Sequence, residues 1–222
     1  MKTITKSTEK SLINEFIDVL KKDALKKKKK NKRFSLVLTG GKSPVSLYLK
    51  LAKYKIDWSN IDLFWSDERF VSQKSKNSNY KLAYDTFIKK VKINKKNLFP
   101  IKTKIKNALK SSESYSNLIK NYFKNKVITF DCLLLGMGDD GHIASIFPNS
   151  IELQKKFIAS PVYRKDFTRI TLSLNIINNS KKTILWLNNK FKSQKYNQLK
   201  FKGVKIPVNR LNKKRTIIYK IS

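Results

Sequence analysis

Three short runs of this chain set acidic, basic and imidazole side chains beside glycines. They read Thr39-Gly40-Gly41-Lys42-Ser43-Pro44, Ser66-Asp67-Glu68-Arg69 and Gly136-Met137-Gly138-Asp139-Asp140-Gly141-His142. In the third, Asp140 and the single histidine, His142, are held between glycines. An imidazole titrates near ~6.5 in its reference state, which suits proton transfer at neutral pH, and a neighbouring carboxylate can orient it. The first run has the logic of an anion cradle, because two glycines let backbone N–H groups approach an oxyanion. A plain tight turn would read the same way. No G-x-x-x-x-G-K-[ST] is present, so a nucleoside triphosphate is not expected. Gly136-x-Gly138-x-x-Gly141 has the outline of a dinucleotide fingerprint, but the ribose-binding acid belongs ~20 residues further on. Here Glu152 is only eleven residues past Gly141.

Each run needs an element to deliver it. Phe34 to Leu38, Ile61 to Trp65 and Phe130 to Leu135 are mainly apolar, strand-forming runs that stop at the three polar ones, and the last of them reads as a central strand buried on both faces. Further strands are predicted at Phe157 to Val162, Arg169 to Leu174, Thr183 to Leu187 and Thr216 to Ile221. Helical spacing predicts helices from Ser11 to about Leu25, after Pro44, from Tyr80 to Val91, from Ser112 to Phe123 and from Phe191 to about Phe201. Residues 72–79 read as a polar loop. Strands alternating with helices imply a mainly parallel α/β sheet with helices on both faces. In such sheets ligands bind beyond the carboxyl ends of the strands, where all three runs fall.

At 222 residues the chain suits one domain, 1–222, and its 40% hydrophobic content is enough for a core. Fifty Lys plus Arg against fifteen Asp plus Glu give a net charge of +35. That balance usually suggests a polyanion partner. The cations are spread along the whole chain among many Asn and Ile, with Arg only at 33, 69, 164, 169, 210 and 215. Only Lys26 to Lys30 is dense, and no aromatic is interleaved to stack on a base. Nucleic acid is therefore not the expected partner, and a basic polyanion-binding protein is kept as an alternative. Cys132 is the only cysteine, which removes an intramolecular disulfide or a thiolate zinc site. With no apolar run of membrane-spanning length and no signal-peptide pattern at Met1, a cytoplasmic protein, monomeric or weakly dimeric, is expected.

Taken in order and spacing, Thr39 to Pro44, Trp65 to Arg69, Asn77 to Asn79, the block LGMGDDGHIASIFP from Leu135 to Pro148, and Arg169 to Ser173 resemble the 6-phosphogluconolactonases. The resemblance runs from about Phe34 to Tyr219. It implies a Rossmann-like fold shared with glucosamine-6-phosphate deaminases and ribose-5-phosphate isomerases. It also implies metal-free, cofactor-free hydrolysis of 6-phospho-glucono-1,5-lactone, a phosphorylated sugar lactone. The deaminases usually carry G-x-G-x-D-G-H-I-A-F-N-E-P, whose Glu assists ring opening; Phe147 stands at that position here, and Phe cannot move a proton. They also typically have Asp-Glu-Tyr where this chain has Asp67-Glu68-Arg69.

Under that resemblance His142 deprotonates water, and Asp140 or Asp67 holds the imidazole. The Gly40-Gly41 turn, Arg169 and Lys192 match the positions that hold phosphate. A strand-edge ion pair remains the other role open to Arg169, and Lys190 competes with Lys192 because the usual glycine of G-x-x-K is replaced by Asn189. Arg69 faces the sugar phosphate or pairs with Glu68 or Asp67. Asn79 binds sugar hydroxyls or caps the next helix. Lys42 replaces a usual serine and adds a cation. Cys132, inside an apolar strand, is not a nucleophile, and neither Ser43 nor Ser145 sits in a G-x-S-x-G elbow.

Overall fold

The computed structural model describes residues 1–153 and 157–222. Ten strands follow in chain order: β1 (Lys2–Lys6), β2 (Phe34–Leu38), β3 (Ile61–Trp65), β4 (Asp67–Arg69), β5 (Leu98–Phe99), β6 (Cys132–Leu135), β7 (Ala159–Val162), β8 (Arg169–Leu172), β9 (Thr183–Leu187) and β10 (Thr216–Ile221). Between them lie helices α1 (Glu9–Lys28), α2 (Val45–Leu51), α3 (Asn79–Thr86), α4 (Ala108–Tyr122), α5 (Leu174–Asn179) and α6 (Lys190–Leu199). Seven strands form one parallel sheet in the order β1-β10-β9-β6-β2-β3-β5. Every residue of β2, β3, β6 and β9 is buried, so this part of the sheet is covered on both faces.

From β2 the chain builds outward to β3 on one side, while β6 leads to β9 on the other. The strand order therefore reverses between β2 and β6, and the crevice at such a reversal is where a parallel sheet offers room for a ligand. The loops leaving β2 and β6 are the two glycine-rich runs.

Several boundaries differ from those read in the sequence. Asp67–Arg69, in the polar run where the preceding strand was read to stop, is itself a strand, pairing antiparallel with β8 in a second sheet, β4-β8-β7, that branches off at Ser66. Helix α4 starts four residues before the predicted Ser112, because the Asn107 side chain accepts from the Lys110 N–H and caps it there. Helix α1 begins earlier too, capped by Thr8, and it takes in Lys26 to Lys28, whose cations suit a helix C-terminus. Helix α3 ends at Thr86, and Ile88–Lys90 continue as a 3-10 turn. The edge strand β1, short β5 and six-residue α5 are additions to the predicted set.

Candidate active site

The Gly40-Gly41 turn, the β4 run and the β6 loop meet around a cavity of about 300 Å³ at the carboxyl end of the main sheet. Of the predicted residues, Gly40, Gly41, Lys42, Asp67, Arg69, Asn79, His142 and Lys192 line it. A larger concavity of about 660 Å³ lies at the opposite end of the sheet, between Lys26, Lys27, Lys29 and Lys30 and Lys181 and Lys182. Its acids are Asp23 and Asp131, both engaged by lysines, and no histidine reaches it.

His142 is held by its near neighbour in sequence. Its Nδ1 lies 2.6 Å from Asp140 Oδ1, which also accepts the His142 backbone N–H at 3.0 Å. A carboxylate can only accept, so Nδ1 carries the proton and Nε2 is the basic nitrogen. Burial pushes the Asp140 carboxyl up, but the hydrogen bonds from His142 outweigh it and leave it below its ordinary value. The ring packs on Phe147, with centroids 4.6 Å apart. A Cβ on Gly138 would come within 2.1 Å of the His142 ring, so only glycine admits the imidazole in this position.

Asp67 does not hold the imidazole. It is buried, and its two oxygens accept from the hydroxyls of Ser66 (3.1 Å) and Ser145 (2.8 Å). Asp140 is thus the orienting carboxylate of the two offered by the sequence. Ser145 enters as the partner of Asp67, a role its position 78 residues away conceals.

Arg69 does not pair with either neighbouring acid through its guanidinium, whose Nη1 donates to the Asn77 carbonyl at 2.9 Å. Asn79 is not the helix cap; Ser78 is, accepting from the Lys81 N–H. The Asn79 amide donates to the Asp67 carbonyl, and its buried Oδ1 has no partner among the described residues. That side chain lies where a Cβ on Gly40 would be, 1.9 Å away. The backbone N–H groups of Gly40, Gly41, Lys42 and Ser43 likewise meet no protein acceptor among the described residues, and Gly41 has φ +81. Consecutive free donors at a turn with a left-handed residue are the ingredients of an anion-binding nest.

Lys192, not Lys190, reaches the cavity, and its ammonium pairs with Asp139. Of the two roles open to Arg169, the structure shows the ion pair. It is buried outside the cavity lining, and its guanidinium bonds Asp166 through two nitrogens, at 2.8 and 2.5 Å. It nevertheless stands directly across from Arg69 in the β4–β8 register, on the same side of the small sheet.

Glu68 positions the loop above the cavity. It is 1% exposed and accepts from the N–H groups of Arg69 (2.8 Å), Asn79 (2.7 Å) and Tyr80 (2.8 Å) and from the Ser78 hydroxyl (3.0 Å). Burial pushes its carboxyl up to about 7, against the pull of those donors. Glu68→Ala leaves the donors unpaired, at a cost of ~2–4 kcal/mol. A fall in melting temperature of about 5–15 °C is expected. A carboxyl raised on folding binds more protons in the folded state, so its stabilisation is fullest below its unfolded value of 4.5 and declines as the pH rises through about 7. The gap in melting temperature between the two proteins, followed by circular dichroism, should therefore be wider at pH 5 than at pH 8.

Residues 7–219 match the family described as glucosamine-6-phosphate isomerases/6-phosphogluconolactonase. Among curated relatives, the 6-phosphogluconolactonase of Nostoc sp. is 36% identical over 154 residues, 68% of this chain and 64% of that protein. The 6-phosphogluconolactonase of Synechocystis sp. is 32% identical over the same shares. The alignments thus span under two thirds of the length of these relatives. The crystal structure of the Thermotoga maritima 6-phosphogluconolactonase superposes with a TM-score of 0.85 over 99% of both chains at 25% identity. A monomeric glucosamine-6-phosphate deaminase gives a TM-score of 0.84 at 18% identity, covering 100% of this chain and 97% of its own, a likeness of fold alone.

Proposed function

The chain belongs to the glucosamine-6-phosphate isomerase/6-phosphogluconolactonase family, and from that premise we propose that it hydrolyses 6-phospho-D-glucono-1,5-lactone to 6-phosphogluconate, within the oxidative pentose phosphate pathway. The observation that carries this reading is His142: Asp140 fixes its Nδ1 proton and leaves Nε2 basic on a ring that lines the cavity. A lactone needs only a deprotonated water and stabilisation of the oxyanion. Water adds its oxygen to C1 while Nε2 takes the proton; the tetrahedral intermediate then expels the ring oxygen, which recovers that proton from the imidazolium. One water is consumed and the acid produced ionises. Asp140 stabilises the transient charge on the imidazolium.

Phe147 favours the lactonase over deaminase or isomerase chemistry. Where ring opening needs a carboxyl, this chain packs an aromatic ring against the base. The free N–H groups of residues 40–43, with Lys42, Arg69, Arg169 and Lys192, form the handle for the phosphate, while Asp67 and the Asn79 Oδ1 offer acceptors to sugar hydroxyls. The buried, unpaired Cys132 suits a cytoplasmic protein.

Two substrates test the reading side by side. Fresh 6-phosphogluconolactone should be turned over, and glucosamine 6-phosphate should release no ammonia; the reverse result would assign the chain to the deaminases. Lys192→Ala and Arg169→Ala should each raise KM for the phosphorylated lactone by about 10- to 100-fold, the worth of a hydrogen bond to a charged group. Unphosphorylated glucono-1,5-lactone should show no such change. Equal shifts for both lactones would contradict the phosphate role.

A further inference from the structure

Where an ion pair of this protein spans a difference in burial, the acid is usually the inner partner. The Asp62 side chain is 2% exposed beneath Arg33 at 41%, and Asp131 is 7% exposed beneath Lys181 at 56%. Two pairs reverse this order most steeply. Lys192 is 18% exposed and meets Asp139 at 63%; Arg169 is 11% exposed and meets Asp166 at 58%. Among the described residues these are the two pairs in which a cation less than one fifth exposed faces an acid more than half exposed. Both cations belong to the proposed phosphate handle.

The asymmetry has a physical consequence. A cation withdrawn from water and left alone is costly, so each needs a counter-ion when no ligand is present. The cations themselves are held from within. Arg169 also donates to the Phe167 carbonyl at 2.9 Å and lies 5.6 Å from the centres of the Phe147 and Phe167 rings. Lys192 follows Asn189, which caps α6 by accepting the Lys192 N–H. The acids have the solvent on their outer side and regain hydration by turning into it, whereas the cations stay where they are. A phosphate dianion brings more charge and more acceptor oxygens than one carboxylate, and would be repelled by an acid that stayed in place.

We propose that Asp139 and Asp166 are internal counter-ions that occupy Lys192 and Arg169 until a phosphorylated ligand displaces them, and that they thereby set the affinity of the site for anions. The inference rests on the phosphate-holding role given to Lys192 and Arg169 above. Hydrolysis converts the uncharged lactone group into a carboxylate while the phosphate is unchanged, so the product carries more negative charge than the substrate. Two acids waiting to reclaim their cations favour its departure.

Asp139→Asn and Asp166→Asn keep shape and remove charge. Each should lower KM for 6-phosphogluconolactone, and the inhibition constant of 6-phosphogluconate, by about 2- to 5-fold. KM for glucono-1,5-lactone, which has no phosphate, should not move. An acid that merely holds its cation in place predicts the opposite sign. Constants that stay level or rise in either variant remove that acid from the role. Lys192→Ala separates the two claims. If it leaves KM unmoved, the phosphate binds elsewhere and the reading of the site falls with the counter-ions. If it raises KM while Asp139→Asn fails to lower it, the counter-ion role falls alone.

Discussion

His142→Ala should lower kcat for 6-phosphogluconolactone by at least ~100-fold while leaving the affinity for 6-phosphogluconate nearly unchanged. In the proposed mechanism Nε2 takes the proton from water, and no other imidazole exists in the chain. Asp67, the carboxylate lining the cavity, is already engaged by two hydroxyls and cannot inherit the task at full strength. The ring is only partly buried, so the fold should survive its loss and the defect should be kinetic. Initial rates corrected for spontaneous lactone hydrolysis, with product binding measured separately, give both quantities. A variant within a few-fold of the parent rate would remove His142 as the base.

Gly138→Ala should be nearly as damaging without touching any charged group. The added methyl would come 2.1 Å from both Cε1 and Nδ1 of His142, and a ring in that position has no way to keep its 2.6 Å bond to Asp140. Displacing a catalytic group by about 1 Å costs on the order of 100-fold. The loop is also closed by the Gly138 N–H to the His142 carbonyl, so the backbone resists relaxing away from the new methyl. A loss of about 30- to 100-fold in kcat with an unchanged circular dichroism spectrum is expected. Gly136→Ala, where a Cβ would meet nothing closer than 3.9 Å, should be far milder and serves as the control.

The central sheet was legible because its strands are buried on both faces. β2, β3, β9 and β10 fall on the residues read from the sequence, and each is dominated by apolar side chains. β1 escapes because Lys-Thr-Ile-Thr-Lys lies at the sheet edge with one strand beside it and little to bury. β4 escapes for another reason: Asp-Glu-Arg carries no hydrophobic pattern, and its extended form comes from pairing with a strand about a hundred residues later.

The site divides along the same line. Asp140 and His142 are two residues apart, so Asp140 was one of the two carboxylates the sequence offered to the imidazole, and the fold decides against Asp67 by occupying both its oxygens. The hydroxyl that occupies Asp67 comes from Ser145, and the acid that occupies Lys192 is 53 residues away, so neither contact leaves a local trace. Arg169 and Asp166 are close in sequence, yet that an exposed loop acid would cover an inner guanidinium follows from burial alone.

The most direct test is the dependence of kcat on pH at saturating 6-phosphogluconolactone, followed by acid release against the spontaneous rate. A single imidazole base predicts an ascending acid limb of unit slope that levels to a plateau as the pH rises, and the disappearance of that limb in His142→Ala. A profile without the limb, or one in which it persists after the imidazole is gone, would contradict the assignment of His142 as the group that activates water.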